Sequence, residues 1–259
     1  MALIAPSIYG LIRRRILVNY RVDPTVMQRH LPTSMRPRLH AGFAIAGICL
    51  IRLEEIRPAG FPRLLGVSSE NAAHRVAVCW RDSADEPHEG VFIPRRDTGS
   101  YLNHLAGGRL FPGEHHLADF DVEDDGMRVT MAIRSRDGRM RVELSGGEID
   151  SLPSDSCFGS LADASAFFEG GCIGYSSRRD CCDLDGIELQ TDGWRVRPLA
   201  VDRVASSYFD DRTNFPSGSI AFDHALIMRN VQHRWVAVPD GAAAKPTLHT
   251  HEVTRRIPS

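Results

Sequence analysis

Residues 115 to 146 read HHLADFDV, EDDG, MRVTMAIR, SRDG and RMRVELSG. Three strand-length segments alternate with two short turns, and each turn carries Asp-Gly at the hairpin position. A four-residue turn cannot hold the crossover that parallel neighbours require, so these strands pair antiparallel. This meander constrains the fold more than any other feature. Further strand-like runs are GFAIAGICLIRLEEI, VSSENAAHRVAVCW, GVFIPRR, CIGYSS, GIELQ, WRVRPLAVDRVASSYF, SIAFDHALIM and HRWVAV. So many strands need either closure or two packed sheets to manage their edges.

Helices are few. Asp23 as N-cap and Pro24 at the first helical position open a short one, with Val26, Met27, His30 and Leu31 on its apolar face and Pro32 stopping it. Asp97 or Thr98 can cap a helix in SYLNHLAGG that turns Tyr101, Leu102 and Leu105 inward and ends at Gly107 and Gly108. LADASAFFEG reads as a third. The expectation is an α+β, β-dominated chain forming a single domain over 1–259, with its core at about 10–238 and a loose tail at 239–259.

A net charge of -2 gives no global field to attract nucleic acid or an anionic membrane. No apolar run reaches the roughly 18 residues of a spanning helix. The charges of MALIAPSIYGLIRRR follow its apolar part, the reverse of a secretory signal. The six cysteines show no CxxC spacing, and Cys49 and Cys79 sit inside apolar runs as core thiols. These features read as a reduced, cytoplasmic protein. Of the 31 basic side chains only Lys245 is lysine, so amine chemistry is nearly absent from the sequence.

The segment ILVNYRVDPTVMQRHLPTSMRPRLHAGFAIAGICLIRL is followed in order by SSENAAHRVAV, EGVFIPRRD, RLFPGEHHLADFDV, WRVRPLAVDRVA and HALIMRNVQHRWV. This succession, over roughly residues 10 to 238, resembles the family called domain of unknown function 2071, which is similar to the acetoacetate decarboxylase superfamily. The resemblance implies a closed antiparallel acetoacetate-decarboxylase-like β-barrel with a few flanking helices and an internal pocket. The decarboxylase motif reads GRE, two residues, G, one residue, PK. Laid on this chain, Gly108, Arg109 and Gly113 match, Leu110 replaces the glutamate, His115 the proline, and His116 the Schiff-base lysine. An imidazole cannot condense with a ketone to an iminium, so this departure argues against the decarboxylase mechanism.

The candidate residues follow from these positions. Arg109 can grip a carboxylate through two parallel hydrogen bonds, or be one solvated arginine among thirty. His116 can serve as general acid or base, or simply be a half-buried, hydrogen-bonded histidine. Strand alternation puts Glu114 on the face of His116, where its carboxylate would orient the ring, and leaves His115 to surface or packing. Glu70 shares its strand face with Ala72, His74, Val76 and Val78. There it is either a desolvated catalytic carboxylate, with His74 as a substrate donor, or an ion-pair partner of Arg95 or Arg96. His115, His116, Glu70, Asp119 and Asp121 offer metal-ligating atoms without an organising spacing, so neither metal nor cofactor is expected. DTG at Asp97 reads as a helix cap, and Asp223-His224 as strand neighbours on opposite faces. Roles for Cys181, Cys182, His249 and His251 stay open.

The functional expectation is a pocket that binds or acts on a small carboxylate or keto compound without Schiff-base chemistry. Catalysis would be lyase-like, with Glu70 and His116 moving protons and Arg109, His74 and Glu114 binding substrate. A non-catalytic binding or sensing module is the alternative. The expected partner is a small-molecule ligand, with no nucleic acid and no membrane; homo-oligomerisation stays open.

Overall fold

The structure, a computed structural model, describes residues 7–82, 84–107, 113–178, 184–238 and 246. Arg109, Gly108, Leu110, Cys181, Cys182, His249 and His251 lie outside the described residues. The strands are β1 (Ile8–Val22), β2 (Arg36–Pro37), β3 (Leu39–His40), β4 (Phe43–Pro58), β5 (Val67–Arg81), β6 (Pro87–Thr98), β7 (His115–Asp124), β8 (Arg128–Ser135), β9 (Arg141–Glu148), β10 (Ile173–Ser177), β11 (Leu184–Thr191), β12 (Arg197–Ser206) and β13 (Ile220–Ala237). The helices are α1 (Pro24–Gln28), α2 (Tyr101–Ala106) and α3 (Leu161–Glu169).

The meander forms as its turns dictate. β7 pairs β8 and β8 pairs β9, both antiparallel, and Gly126 and Gly138 sit at positive φ in the turns. The sheet runs β11-β10-β6-β7-β8-β9-β12-β13-β1-β4-β5-β2, and the extra pairings β6–β5 and β11–β13 make that path return on itself twice. Antiparallel pairing does not hold throughout: β6 pairs both β7 and β10 in parallel. β6 is followed by α2 and a long connection rather than a tight hairpin, which lets β7 run in the same direction.

α1 begins where the sequence places it. Asp23 accepts hydrogen bonds from the backbone N–H groups of Thr25 and Val26, and Val26 and Met27 are buried. α2 differs from its reading. Ser100 is its N-cap rather than Asp97 or Thr98, and Tyr101, Leu102 and Leu105 are 59%, 61% and 60% exposed instead of inward. Six residues are too few to commit an apolar face to the core unless a neighbour covers it, and the sheet meets α2 through polar Asn103.

Strands β1, β4, β5 and β13 are buried on both faces. Ile16, Val18, Ala46, Ile48, Val76, Val78, Ala225 and Ile227 join one core cluster, while Leu17, Ile45, Ile51, Ala77, Leu226 and Met228 join a second with Phe158, Phe167 and Phe168 near or on α3. The period of two thus assigns alternate residues of one strand to different cores. Where it breaks, the register shows why. Asn19 faces His224 and Tyr20 faces Phe222, so Asp223 is the extra residue of a β-bulge.

Candidate functional site

A cavity of about 190 Å³ lies on the second-core side of the sheet. Its floor comes chiefly from odd-numbered residues of adjacent strands, Arg15 of β1, Cys49, Ile51 and Leu53 of β4, and Asn71, Ala73 and Arg75 of β5, with Ile56 and Ala72 also reaching it. β6 and β7 add Val91, Ile93, Arg96 and His115; α3, β11 and β13 roof it with Phe168, Ile187, Leu189 and Trp235, and Trp194 completes the wall. Parallel pairing sets Arg96 beside His115 and Asp97 beside His116. His115 lines the cavity with its register neighbour Arg96, whereas His116 is absent from the lining although its neighbour Asp97 reaches it.

Three guanidinium groups line this hollow. Arg75 is only 5% exposed; it donates to Asn19 Oδ1, lies over the Phe168 ring at 4.9 Å, and its Nε is buried with no hydrogen-bond partner among the described residues. Arg96 donates from Nε to Ser176 Oγ at 3.2 Å, and its Nη2 is likewise buried and unpartnered among those residues. Arg15 donates to Cys49 Sγ at 3.3 Å and lies 5.6 Å from the Trp194 ring. Burial pulls the pKa of both Arg75 and Arg96 down to about 10. Among the described residues no carboxylate pairs with any of the three. Asp97, which also lines the cavity, is engaged by Arg95 at 2.8 Å, and Glu169 stands exposed at the rim.

His115 is half-buried in the same lining. Burial, and then the adjacent Arg96 charge, hold its imidazole down at about 3, so it is neutral around pH 7. Polar contacts tie α2 to the rim: Asn71 Oδ1 accepts from Thr98 Oγ1 at 2.7 Å and from Asn103 Nδ2 at 3.3 Å.

The structure places Glu70, His74, Glu114 and His116 away from this lining. Glu70 accepts two hydrogen bonds from Arg14 Nη2, at 2.9 and 3.0 Å, and Arg14 also donates to Asp124 at 2.9 Å. Its partner is therefore Arg14 rather than Arg95 or Arg96. Desolvation raises the Glu70 pKa, and Arg14 opposes the rise. His74 is buried beside Tyr208 and Phe209 in the first core, with Ser206 Oγ 3.5 Å away, and burial lowers its pKa to about 3. His116 Nδ1 is 3.5 Å from Asp137, and Glu114 is exposed just before β7. His115, read as surface or packing, is instead the member of the pair that meets the cavity. Because β5 is buried on both faces, an apolar face could not say on which side the hollow lies. In the motif, one residue more or less before β7 exchanges His116 for His115 at the lysine position.

Asp223 and His224 also depart from the sequence reading. The bulge lets them meet, with His224 Nδ1 2.6 Å from Asp223 Oδ2 and both side chains almost fully buried. Among the described residues no group of three or more His, Cys, Asp or Glu is placed to hold a metal ion, and no helix is long and apolar enough to cross a membrane.

The family model DUF2071, an uncharacterized conserved protein, matches residues 12–219. No curated protein matches the chain. The chain is similar to the crystal structure of acetoacetate decarboxylase from Legionella pneumophila subsp. pneumophila str. Philadelphia 1, with a TM-score of 0.57 and 14% identity over 91% of this chain and 88% of that one. It is similar to an acetoacetate decarboxylase-like enzyme from Sphingomonas wittichii RW1, with a TM-score of 0.57 and 10% identity over 92% and 94%. It is also similar to the enduracididine biosynthesis enzyme MppR complexed with pyruvate, with a TM-score of 0.56 and 12% identity over 93% of each chain. At these identities the likeness shows the fold alone.

Proposed function

The chain belongs to the DUF2071 family and has an acetoacetate-decarboxylase-like fold, and from that premise we propose that its cavity binds a small carboxylate-bearing compound. One observation carries the reading: Arg15, Arg75 and Arg96 line one hollow, and none has a carboxylate partner among the described residues. Buried guanidinium groups without counter-charge are costly, and an anion that pairs with them repays that cost on binding. The apolar part of the wall, including Ile51, Leu53, Ile93, Ile187 and Leu189, fits a hydrocarbon body. A dry cavity of roughly 150 Å³ admits a benzene ring, so about 190 Å³ takes a ring or short chain plus a carboxylate. The structurally similar MppR was seen with pyruvate, a keto acid, which agrees with this class.

Under this reading the role assigned in sequence to Arg109 falls to Arg75 and Arg96, and the acid–base role assigned to His116 falls to His115. A bound carboxylate offsets the Arg96 charge, removes part of what depresses the His115 imidazole, and so makes it a better base once ligand is present. Proton transfer of this kind needs no iminium, and the sequence supplies no lysine except Lys245. The two returning strand pairings support a closed barrel, which would keep water from the hollow and strengthen its charge interactions.

A thermal-shift series of carboxylates from acetate to phenylacetate tests the reading. At a hundredfold excess over Kd a ligand adds about 2.7 kcal/mol, which raises Tm by roughly 5 to 10 °C for a chain of this size. Arg96→Ala should abolish the rise. Borohydride with pyruvate should leave no covalent adduct, and an adduct would overturn the non-Schiff-base part of the proposal.

A further inference from the structure

Behind Arg75 runs a line of buried polar groups. Arg75 Nη2 donates to Asn19 Oδ1; Asn19 Nδ2 lies 3.1 Å from Leu17 O and 3.0 Å from His224 Nε2; His224 Nδ1 lies 2.6 Å from Asp223 Oδ2. Asn19 and His224 are 0% exposed and Asp223 2%. Phe158 and Phe168 enclose the His224 ring at 5.1 and 5.8 Å. Phe168 also carries Arg75 on its face and lines the cavity.

Chemistry fixes the polarity of every link. A guanidinium only donates and the Leu17 carbonyl only accepts, so the Asn19 amide has one orientation, with oxygen to Arg75 and nitrogen to Leu17 and His224. His224 Nε2 must then present its lone pair, and the ring proton sits on Nδ1, facing Asp223. Asp223 is itself anchored: Oδ1 accepts from Cys157 N at 2.9 Å and Arg21 Nη1 at 3.0 Å, and Oδ2 from Ser156 Oγ at 2.7 Å. The bulge at Asp223 is what brings it and His224 together.

We infer that Asp223, His224 and Asn19 form a positioning relay that orients Arg75 in the cavity wall and thereby sets the site's preference for anionic over neutral ligands. None of the three lines the cavity, so they act through Arg75 and are positioning residues. The inference rests on the anion-binding reading above. It also predicts what an isosteric change does. In Asp223→Asn the oxygen must stay toward Cys157 N and Arg21, which only donate there. The new NH₂ then faces His224 Nδ1 and drives the ring proton to Nε2. That proton meets the Asn19 NH₂ donor to donor, and the Asn19 amide, whose orientation Leu17 O and Arg75 both fix, is pushed out of line with Arg75. Arg75 then loses its anchor through a substitution that leaves the side-chain shape at residue 223 unchanged.

Isothermal titration with phenylacetate and with phenylacetamide separates the outcomes. Wild type should favour the carboxylate. In Asp223→Asn that preference should fall by about tenfold, the effect of one charged hydrogen bond, while amide affinity stays the same. An equal loss for both ligands would mean a general structural defect and would overturn the relay. An unchanged preference would overturn the relay and leave the anion site standing. No carboxylate preference in wild type would overturn both. If Asp223→Asn does not fold, ¹⁵N-histidine NMR of wild type decides: a proton on Nδ1 and a bare Nε2 at His224 are required, and the opposite tautomer refutes the relay.

Discussion

Arg75→Met removes a buried charge while keeping most of an apolar stem in place. Burial lowers the Arg75 pKa from its ordinary 12.5 to about 10, a difference worth about 3 kcal/mol of destabilisation while the group is charged in the fold. For a base depressed in this way, the penalty is present at neutral pH and is relieved only as pH rises through about 10. Against it stands the hydrogen bond to Asn19, about 1.5–3 kcal/mol for a bond to a charged group. Removing Arg75 should therefore leave the ligand-free protein as stable as wild type or up to about 1.5 kcal/mol more stable. The assay is urea unfolding at pH 7, paired with thermal shift in phenylacetate, where the variant should lose the ligand-induced rise. Stability that falls by 3 kcal/mol or more would refute the reasoning. That is the signature of breaking a buried ion pair, and it would mean that the fold already neutralises Arg75.

Histidine burial predicts a specific acid response. His74 and His115 are held at about 3 and His233 at about 4, all chiefly by desolvation, so below pH 6.5 the unfolded chain takes up protons that the folded one refuses. Stability should be full above pH 6.5 and decline by about 1.4 kcal/mol per pH unit for each histidine as pH falls toward 4; chemical denaturation at stepped pH measures it, and a flat profile from 6.5 to 4.5 contradicts the burial. Arg14→Ala removes the cation that Glu70 and Asp124 share, leaving Glu70 with Arg52 at 3.9 Å and Asp124 with Arg229, so unfolding stability should fall by about 1.5–3 kcal/mol, the worth of a hydrogen bond to a charged group. Because that cluster lies away from the cavity, the phenylacetate shift should survive, and its loss would relocate the site to the Glu70 face.

Local chemistry made part of this molecule legible in the sequence. Asp-Gly at residues 125–126 and 137–138 specified two hairpins, and Asp23-Pro24 specified the start of α1. What escaped was set by packing at a distance. Both faces of β4 and β5 are apolar, so alternation could not tell the Asn71–Ala73–Arg75 face from the Glu70–Ala72–His74 face. Arg15 and Arg96 are indistinguishable in sequence from the other arginines, and only the register that brings β1 and β6 around one hollow separates them. The meeting of Asp223 with His224 depends on a one-residue bulge between β1 and β13, which no periodicity announces. The outward Tyr101, Leu102 and Leu105 show the opposite failure, an apolar pattern with no packing partner in the sheet.

The proposed site stands or falls on an anion settling among Arg15, Arg75 and Arg96. A crystal grown with 4-bromophenylacetate tests it by anomalous scattering. One bromine peak should appear inside the cavity against the Trp194 and Trp235 wall, with the carboxylate within hydrogen-bond reach of Arg75 and Arg96. An empty cavity at saturating ligand, or a carboxylate turned toward solvent with the arginines untouched, would contradict it.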